Sequence, residues 1–320
     1  MTNIVVDNIY KKPKKTFNTN ELTTLQADSI FLNVLNEFAI DSSWISIKKK
    51  KFDEDDSTKH EYHIKLPKDL PVPLVIKELS NKLNKDITAL VSQENKNFGE
   101  TSVKIYSNER LKLKAILEPD LNLVRERNNI YFIITDASSL DFQQLKELLK
   151  SPLPLTFSLL PSDYSNTIKD TIQNYFKDYS VWLNDAIDDK KYKIEAGYSK
   201  ELLRSSIQNI ITSYKDAVLF IVDSKSKIYN SATYNFIRDY FKSWGIKLYT
   251  DTDFILFKSS KKEELISLMK FYANTKDSSP NKIILINKDE FDLLNDELEL
   301  EKKKGTKFFA VKSYFIKKVF

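Results

Sequence analysis

Groups able to do chemistry are sparse in this sequence. Its only imidazoles are His60 and His63, set three apart around Tyr62. The alternation of Tyr62, Ile64 and Leu66 marks that run as a half-buried strand. Strand residues three apart point to opposite faces, so the two rings cannot close on one ion, and both are read as surface histidines. With no cysteine anywhere, a disulfide framework, a thiolate zinc site, an iron–sulfur cluster and a cysteine nucleophile are excluded. The glycines, Gly99, Gly197, Gly245 and Gly305, lie too far apart for a GxGxxG turn or a GxxxxGKS/T loop, whose backbones must approach phosphate closely.

The elements that would position a site follow from periodicity. A length of 320 residues corresponds to about two domains. Residues 1–20, with Lys11, Lys12, Lys14 and Lys15 around Pro13, read as a flexible arm. Residues 21–125 read as a small α+β module. It has a helix over residues 21–40, a charged loop or hairpin tip over 48–59, a strand at Tyr62–Leu66 and a helix from Val75 to Leu83. Two strand arms, Val103 with Ile105 and Leu111 with Leu113 and Ala115, then flank residues 107–110.

From residue 126 to 320 the pattern changes to short apolar strands separated by amphipathic helices. Strands are expected at 130–134, 155–159, 181–183, 217–222, 246–249, 254–257, 283–286 and 308–311. Helices are expected at about 139–150, 164–176, 199–213, 231–244, 261–273 and 288–301. Apolar strands alternating with helices imply a parallel sheet covered on its outer face, a barrel or a doubly wound sheet.

Charge and hydropathy exclude further classes. The net charge of +5 is dispersed along the chain, whereas a nucleic-acid binder concentrates it. The lysines at 302–304, followed by Lys307-Phe-Phe and by Ile316-Lys-Lys-Val-Phe, are the segments that would favour stacking on bases. Phe308 to Val311 reads better as a last buried strand, so no nucleic-acid partner is expected. The longest apolar run, Ala217 to Val222, is far short of the ~20 residues that cross a bilayer. Residues 1–20 have no apolar core of a signal peptide, so neither a membrane span nor an export signal is expected in this chain.

One stretch is unusual. Residues 152–161, PLPLTFSLLP, place two prolines before an apolar strand and a third at its C-terminal end. The stretch resembles the PLPLTFAVLP strand signature of the divergent polysaccharide deacetylase family, which follows a strand ending in an acidic pair. The preceding strand here is Ile130 to Ile134, followed by Thr135 and Asp136. The order of later elements is also similar, over roughly residues 126–320, and the module before it is similar to a small domain that precedes the deacetylase-like domain in some members. The resemblance implies a distorted (β/α) barrel and metal-dependent removal of acetyl groups from amino sugars. Such chemistry needs metal ligands, a polarised water and a base at the strand C-termini.

The sequence departs from the family at those positions. The Asp-Asp pair is Thr135-Asp136. The His-Leu-Pro strand end is Leu183-Asn184-Asp185, the Asn-Asn-His stretch is Ile221-Val222-Asp223, and the Gly-His-Pro stretch is Ile286-Asn287-Lys288. A barrel site would therefore consist of oxygen and amide groups: Asp136, Asp185 and Asp223, with Asp251 or Asp253. Each of these also suits capping of the helix that follows its strand. The expectation is a catalytically silent deacetylase-like barrel, a pseudoenzyme that binds an envelope glycan or a protein partner. Thr135, Asp136, Asn184, Asp223 and Asn287 would be remnants of its site. Ligand contacts would come from Asp136, Asp185, Asp223 and Trp182, and the faces of Tyr131, Tyr164 and Tyr249 are available for sugar stacking. No metal or other cofactor is expected. The alternative is an active hydrolase holding a hard divalent cation at Asp136 and Asp223. The resemblance implies the bacterial periplasm or envelope, and without it the cytoplasm.

Overall fold

A computed structural model describes residues 21–49, 58, 60–95, 99–276 and 279–316. The arm at residues 1–20, most of the charged stretch at 48–59 and the C-terminal residues 317–320 lie outside the described residues. The chain divides into two compact units, residues 1–125 and 126–320.

In the first unit, α1 (Thr24–Glu37) starts at Thr23, whose side chain accepts from the Gln26 N–H while Gln26 reaches back to the Thr23 N–H. Strands β1 (Ile45–Lys49), β2 (His60–Pro67), β3 (Ala89–Glu94), β4 (Thr101–Ser107) and β5 (Arg110–Asp120), with α2 (Val72–Lys82) between β2 and β3, form a sheet of order β1-β2-β5-β4-β3. β2 and β5 are parallel and the other pairs antiparallel. The β4–β5 hairpin turns through Asn108 (φ 50°) and Glu109 (φ 62°), a left-handed pair normally given to Asn-Gly. Phe31, Val34 and Leu35 of α1 and Val75 and Leu79 of α2 bury one face of the sheet, against Ile64, Leu66, Val103, Ile105 and Leu113.

The second unit is mixed α/β, with strands and helices alternating: β6 (Asn129–Ile134), α3 (Phe142–Lys150), β7 (Thr156–Leu159), α4 (Asp163–Asn174), β8 (Asp178–Leu183), α5 (Lys200–Ser213), β9 (Phe220–Val222), α6 (Tyr234–Ser243), β10 (Leu248–Thr250), β11 (Ile255–Leu256), α7 (Lys262–Asn274), β12 (Asn281–Ile286), α8 (Lys288–Leu293), α9 (Asn295–Lys303), β13 (Lys307–Phe308) and α10 (Val311–Ile316). Among the described residues the strand pairings of this sheet are parallel, in the order β10-β9-β8-β7-β6-β12-β11, with β13 on β6. The two ends of that path, β10 and β11, are consecutive in the chain. Five residue steps from Thr250 to Ile255 reach at most about 18 Å, so the sheet must curl until its edges nearly meet. Strand order around the curl follows chain order, as in a (β/α) barrel left open at the β10–β11 seam.

Strand alternation then divides the core in two. Ile130, Phe132, Ile134, Phe157, Leu159, Val181 and Phe220 face outward and pack the helices. Tyr131, Ile133, Leu219, Ile221, Ile283 and Leu285 face the concave side, together with Val311 of α10. Two sequence expectations are corrected at the C-terminal end. The expected strand at 308–311 shrinks to β13, and Val311 instead opens α10, whose Tyr314 and Phe315 pack the concave cluster. The expected helix at 288–301 is two helices that meet at Leu294.

Candidate functional site

Every β6–β12 strand runs the same way, so the candidate groups collect at one rim, where the strands end. Their side chains are already committed there. Asp136, after β6, is half-buried, and its Oδ1 accepts from the Lys288 N–H at 3.1 Å, tying the β6 loop to the start of α8. Burial pushes the Asp136 carboxyl up from its ordinary value, and the Lys288 N–H opposes that only in part. Asp185, after β8, accepts from the Lys227 N–H at 2.8 Å and so ties the β8 loop to the β9 loop. Asp251, after β10, accepts from the Ser224 N–H at 2.9 Å, linking the β10 and β9 loops.

The remaining candidates close local turns. Asp223 accepts from the Lys225 N–H (2.8 Å) and Asn184 from the Ala186 N–H (3.0 Å), both Asx turns. Asp253 accepts from the Thr250 N–H at 2.7 Å. Asn287 caps α8 by accepting from the Glu290 N–H at 2.8 Å, and Glu290 also takes the Ser259 N–H at 3.2 Å. Between β6 and β7, Ser138 Oγ accepts from the Leu160 N–H at 2.8 Å. Beyond β7, the Tyr214 hydroxyl both accepts from the N–H and donates to the carbonyl of Ser162, each at 3.0 Å. The rim is a set of loops fastened side chain to backbone, which satisfies amides that would otherwise lie unpaired at the helix starts.

Thr135 is half-buried where β6 ends. Among the described residues, no group of three or more His, Asp or Glu side chains is arranged to hold a metal ion. The histidines sit in the first unit: His60 Nε2 lies 3.3 Å from Asp28 of α1, and His63 Nε2 lies 2.8 Å from Glu61, on the opposite face of the sheet.

Behind the rim, Trp182, Tyr131 and Tyr249 line the concave face, whereas Tyr164 is exposed on α4. The same face holds groups that the sequence reading missed. Thr156 and Ser158 of β7 and Ser180 of β8 are buried with unpaired hydroxyls. Asp178, at the start of β8, has its carboxyl pushed up by burial, against the opposing charge and N–H of Lys312. A signal was available: in Thr156-Phe-Ser-Leu and Asp178-Tyr-Ser-Val every second residue is polar, where a doubly covered parallel strand should be apolar throughout.

Of the lysine and phenylalanine segments near the C-terminus, residues 317–320 lie outside the described residues, and two of the others have partners within the chain. Lys304 pairs with Glu301 at 2.7 Å, and Phe308 stacks on Phe132 with ring centroids 6.1 Å apart. Among the described residues, no helix is long and apolar enough to cross a membrane.

No family model matches this chain, and a comparison with curated proteins finds no match. Two solved structures are similar in outline. An uncharacterized protein from Agrobacterium tumefaciens C58 is 8% identical with a TM-score of 0.42, over 59% of this chain and 89% of that one. PdaA of Bacillus subtilis, a family 4 carbohydrate esterase, is 14% identical with a TM-score of 0.39, over 61% of this chain and 83% of that one.

Proposed function

We propose that this chain is a polysaccharide-deacetylase-like protein without the deacetylase chemistry, acting as a glycan-binding module of a bacterial envelope. The observation that carries this reading is the use made of the rim carboxylates. Asp136, Asp185, Asp223 and Asp251 each accept a backbone N–H from a rim loop. An arrangement of that kind gives each carboxylate a loop-fixing use through one of its oxygens. The PLPLTFSLLP stretch supports the deacetylase-like ancestry, and Trp182, half-buried on the concave face, supports a sugar ligand, since an aromatic face takes the apolar side of a pyranose, whereas Tyr131 packs on Phe309 and Tyr314 and Tyr249 on Phe254 and Phe315. A protein partner at the same rim is the competing occupant.

The test combines thermal shift with hydrolysis. The full chain is titrated with Mg²⁺, Mn²⁺, Zn²⁺ and Ca²⁺, then with neutral N-acetylated and de-N-acetylated oligosaccharides, and acetate release is followed in parallel. The expected result is stabilisation by an oligosaccharide with no release of acetate under any metal. Acetate release that depends on one ion and disappears in Asp136→Ala would overturn the proposal in favour of the hydrolase. For that alternative the supporting observation is the place of Asp136, half-buried at the end of β6 with its carboxyl pushed up by burial.

A further inference from the structure

The concave face carries a polar row that the chain itself leaves unsatisfied. Thr156 of β7 stands in register with Asp178 of β8, and Ser158 with Ser180. Around them the face is apolar: Ile133 is beside Thr156, and Leu219 and Ile221 belong to the same cluster. Thr156, Ser158 and Ser180 are at most 1% exposed, and among the described residues their hydroxyl oxygens have no hydrogen-bond partner. A buried hydroxyl left unpaired has given up its hydrogen bonds to water with nothing in return. A group of them on adjacent strands is a large burden for a marginally stable fold.

Nothing in the fold requires them. The residues that alternate with them, Phe157, Leu159, Tyr179 and Val181, already pack the helices, so valine or alanine at the hydroxyl positions would give an ordinary parallel strand. Two residues beyond Ser180, on the same strand and the same face, is Trp182. Its ring is half-buried against the concave cluster, and in register it lies beside Ile221. The indole thus stands one layer nearer the strand ends than the hydroxyls. The charged groups of the row, Asp178 and its neighbour Lys312, oppose each other at the far end. What lies toward the rim is therefore hydroxyls and an aromatic face, with no excess of either charge.

We propose that this row is the floor of a binding subsite for a neutral, hydroxyl-rich ring, which the Trp182 indole, two residues beyond Ser180, admits by swinging aside and then stacks on. Each Ser or Thr hydroxyl can donate one hydrogen bond and accept two, as the hydroxyls of a sugar do, so the match needs no ion. The assignment rests on the binding-module reading and adds to it the place, the polarity and the moving part.

The test uses the full chain carrying Trp44→Phe and Trp244→Phe, which leaves Trp182 as the only indole emitter. Its fluorescence is titrated with neutral N-acetylhexosamine oligosaccharides and, separately, with an anionic polysaccharide. The expected result is a saturable change with the neutral probe, weakened at least tenfold by Ser158→Ala with Ser180→Ala. The melting temperature of that variant should be unchanged or raised, because the unpaired hydroxyls are gone. Thr156→Val, which is isosteric, is the second variant and should weaken binding with near-UV circular dichroism unchanged. A saturable change that survives all of these substitutions would put the ligand elsewhere on the rim, ending this subsite while leaving the binding module standing. No saturable response to the neutral probe would remove both readings. A lowered melting temperature with the response intact would mean that the hydroxyls hold structural water, and this too overturns the proposal.

Discussion

Tyr214 offers a measurement of how firmly the rim is fastened. It is fully buried, and its hydroxyl makes two hydrogen bonds of 3.0 Å to the N–H and carbonyl of Ser162. Ser162 directly follows the proline-bounded stretch and caps α4 through its own side chain. Tyr214→Phe keeps the ring, and with it the edge contacts to Tyr179 and Tyr192. What it removes is the pair of bonds, leaving the Ser162 N–H short of a partner while the Ser162 carbonyl keeps only the Asn166 N–H, at 3.1 Å. At about 1–1.5 kcal/mol for each, the loss should be about 2–3 kcal/mol. For a unit of this size that lowers the melting temperature by about 4–12 °C. The assay is urea unfolding followed by circular dichroism, with calorimetry at neutral pH. Tyr164→Phe, at an exposed position of α4, serves as the control and should move stability by less than about 0.5 kcal/mol. A Tyr214→Phe loss no larger than that of the control would refute the fastening argument, because it would mean that Ser162 finds water or another partner at no cost.

Other consequences follow from burial and backbone geometry. Tyr62 and Tyr179 have their phenols pushed up to about 12 by burial. Their contribution to stability is complete below the unfolded value of about 10 and is lost as pH rises from there toward 12, so absorbance at 295 nm should show these rings ionising only as the fold is lost. Asp136 has a raised carboxyl in the folded state, so ionisation works against folding. Asp136→Asn, which keeps an acceptor for the Lys288 N–H, should be more stable than the parent at pH 7 and lose that advantage as pH falls through the carboxylate range, read as urea midpoints across pH. Phe176 is 98% exposed and held at φ 57°. Phe176→Gly should raise stability by about 0.5–1 kcal/mol, and a lower urea midpoint would show that the ring packs against something.

The architecture was legible where one face of an element is buried and the other is wet or covered by helices. Ile130 to Ile134, Ile283 to Ile286 and the stripe of α5 were visible because their apolar residues have no other use, and they appear as β6, β12 and a helix buried at Leu203, Ile207 and Ile210. The edge strands β1 and β3 were not legible, since nearly all of their side chains are exposed and no period shows. Val311 gave the opposite error. It is as apolar as a strand residue but belongs to α10, and only the three-dimensional route of the chain places that helix on the concave face.

The rim exposes a different limit. An aspartate after a strand has the same local sequence whether it holds an ion or fastens a loop. Asp136, Asp185 and Asp251 could be picked out as strand-end oxygens, but which use they serve depends on the N–H groups of Lys288, Lys227 and Ser224, which lie 152, 42 and 27 residues away. Each of those amides belongs to a βα connection other than the aspartate's own, the one after β12 for Lys288 and the one after β9 for Lys227 and Ser224, so the bonds exist only once the sheet has curled and brought neighbouring strand ends together. The hydroxyls of Thr156, Ser158 and Ser180 are the converse case. Their alternation is local and could be read directly from the sequence, and it is informative because it runs against the requirement of the fold. A parallel strand covered on both faces gains nothing from a buried hydroxyl that no residue satisfies. The carboxylates at the rim are accounted for by loops that need fastening, and the hydroxyls on the concave face have no such account. Physical cost without structural return therefore makes Thr156, Ser158 and Ser180 the residues whose substitution is most informative.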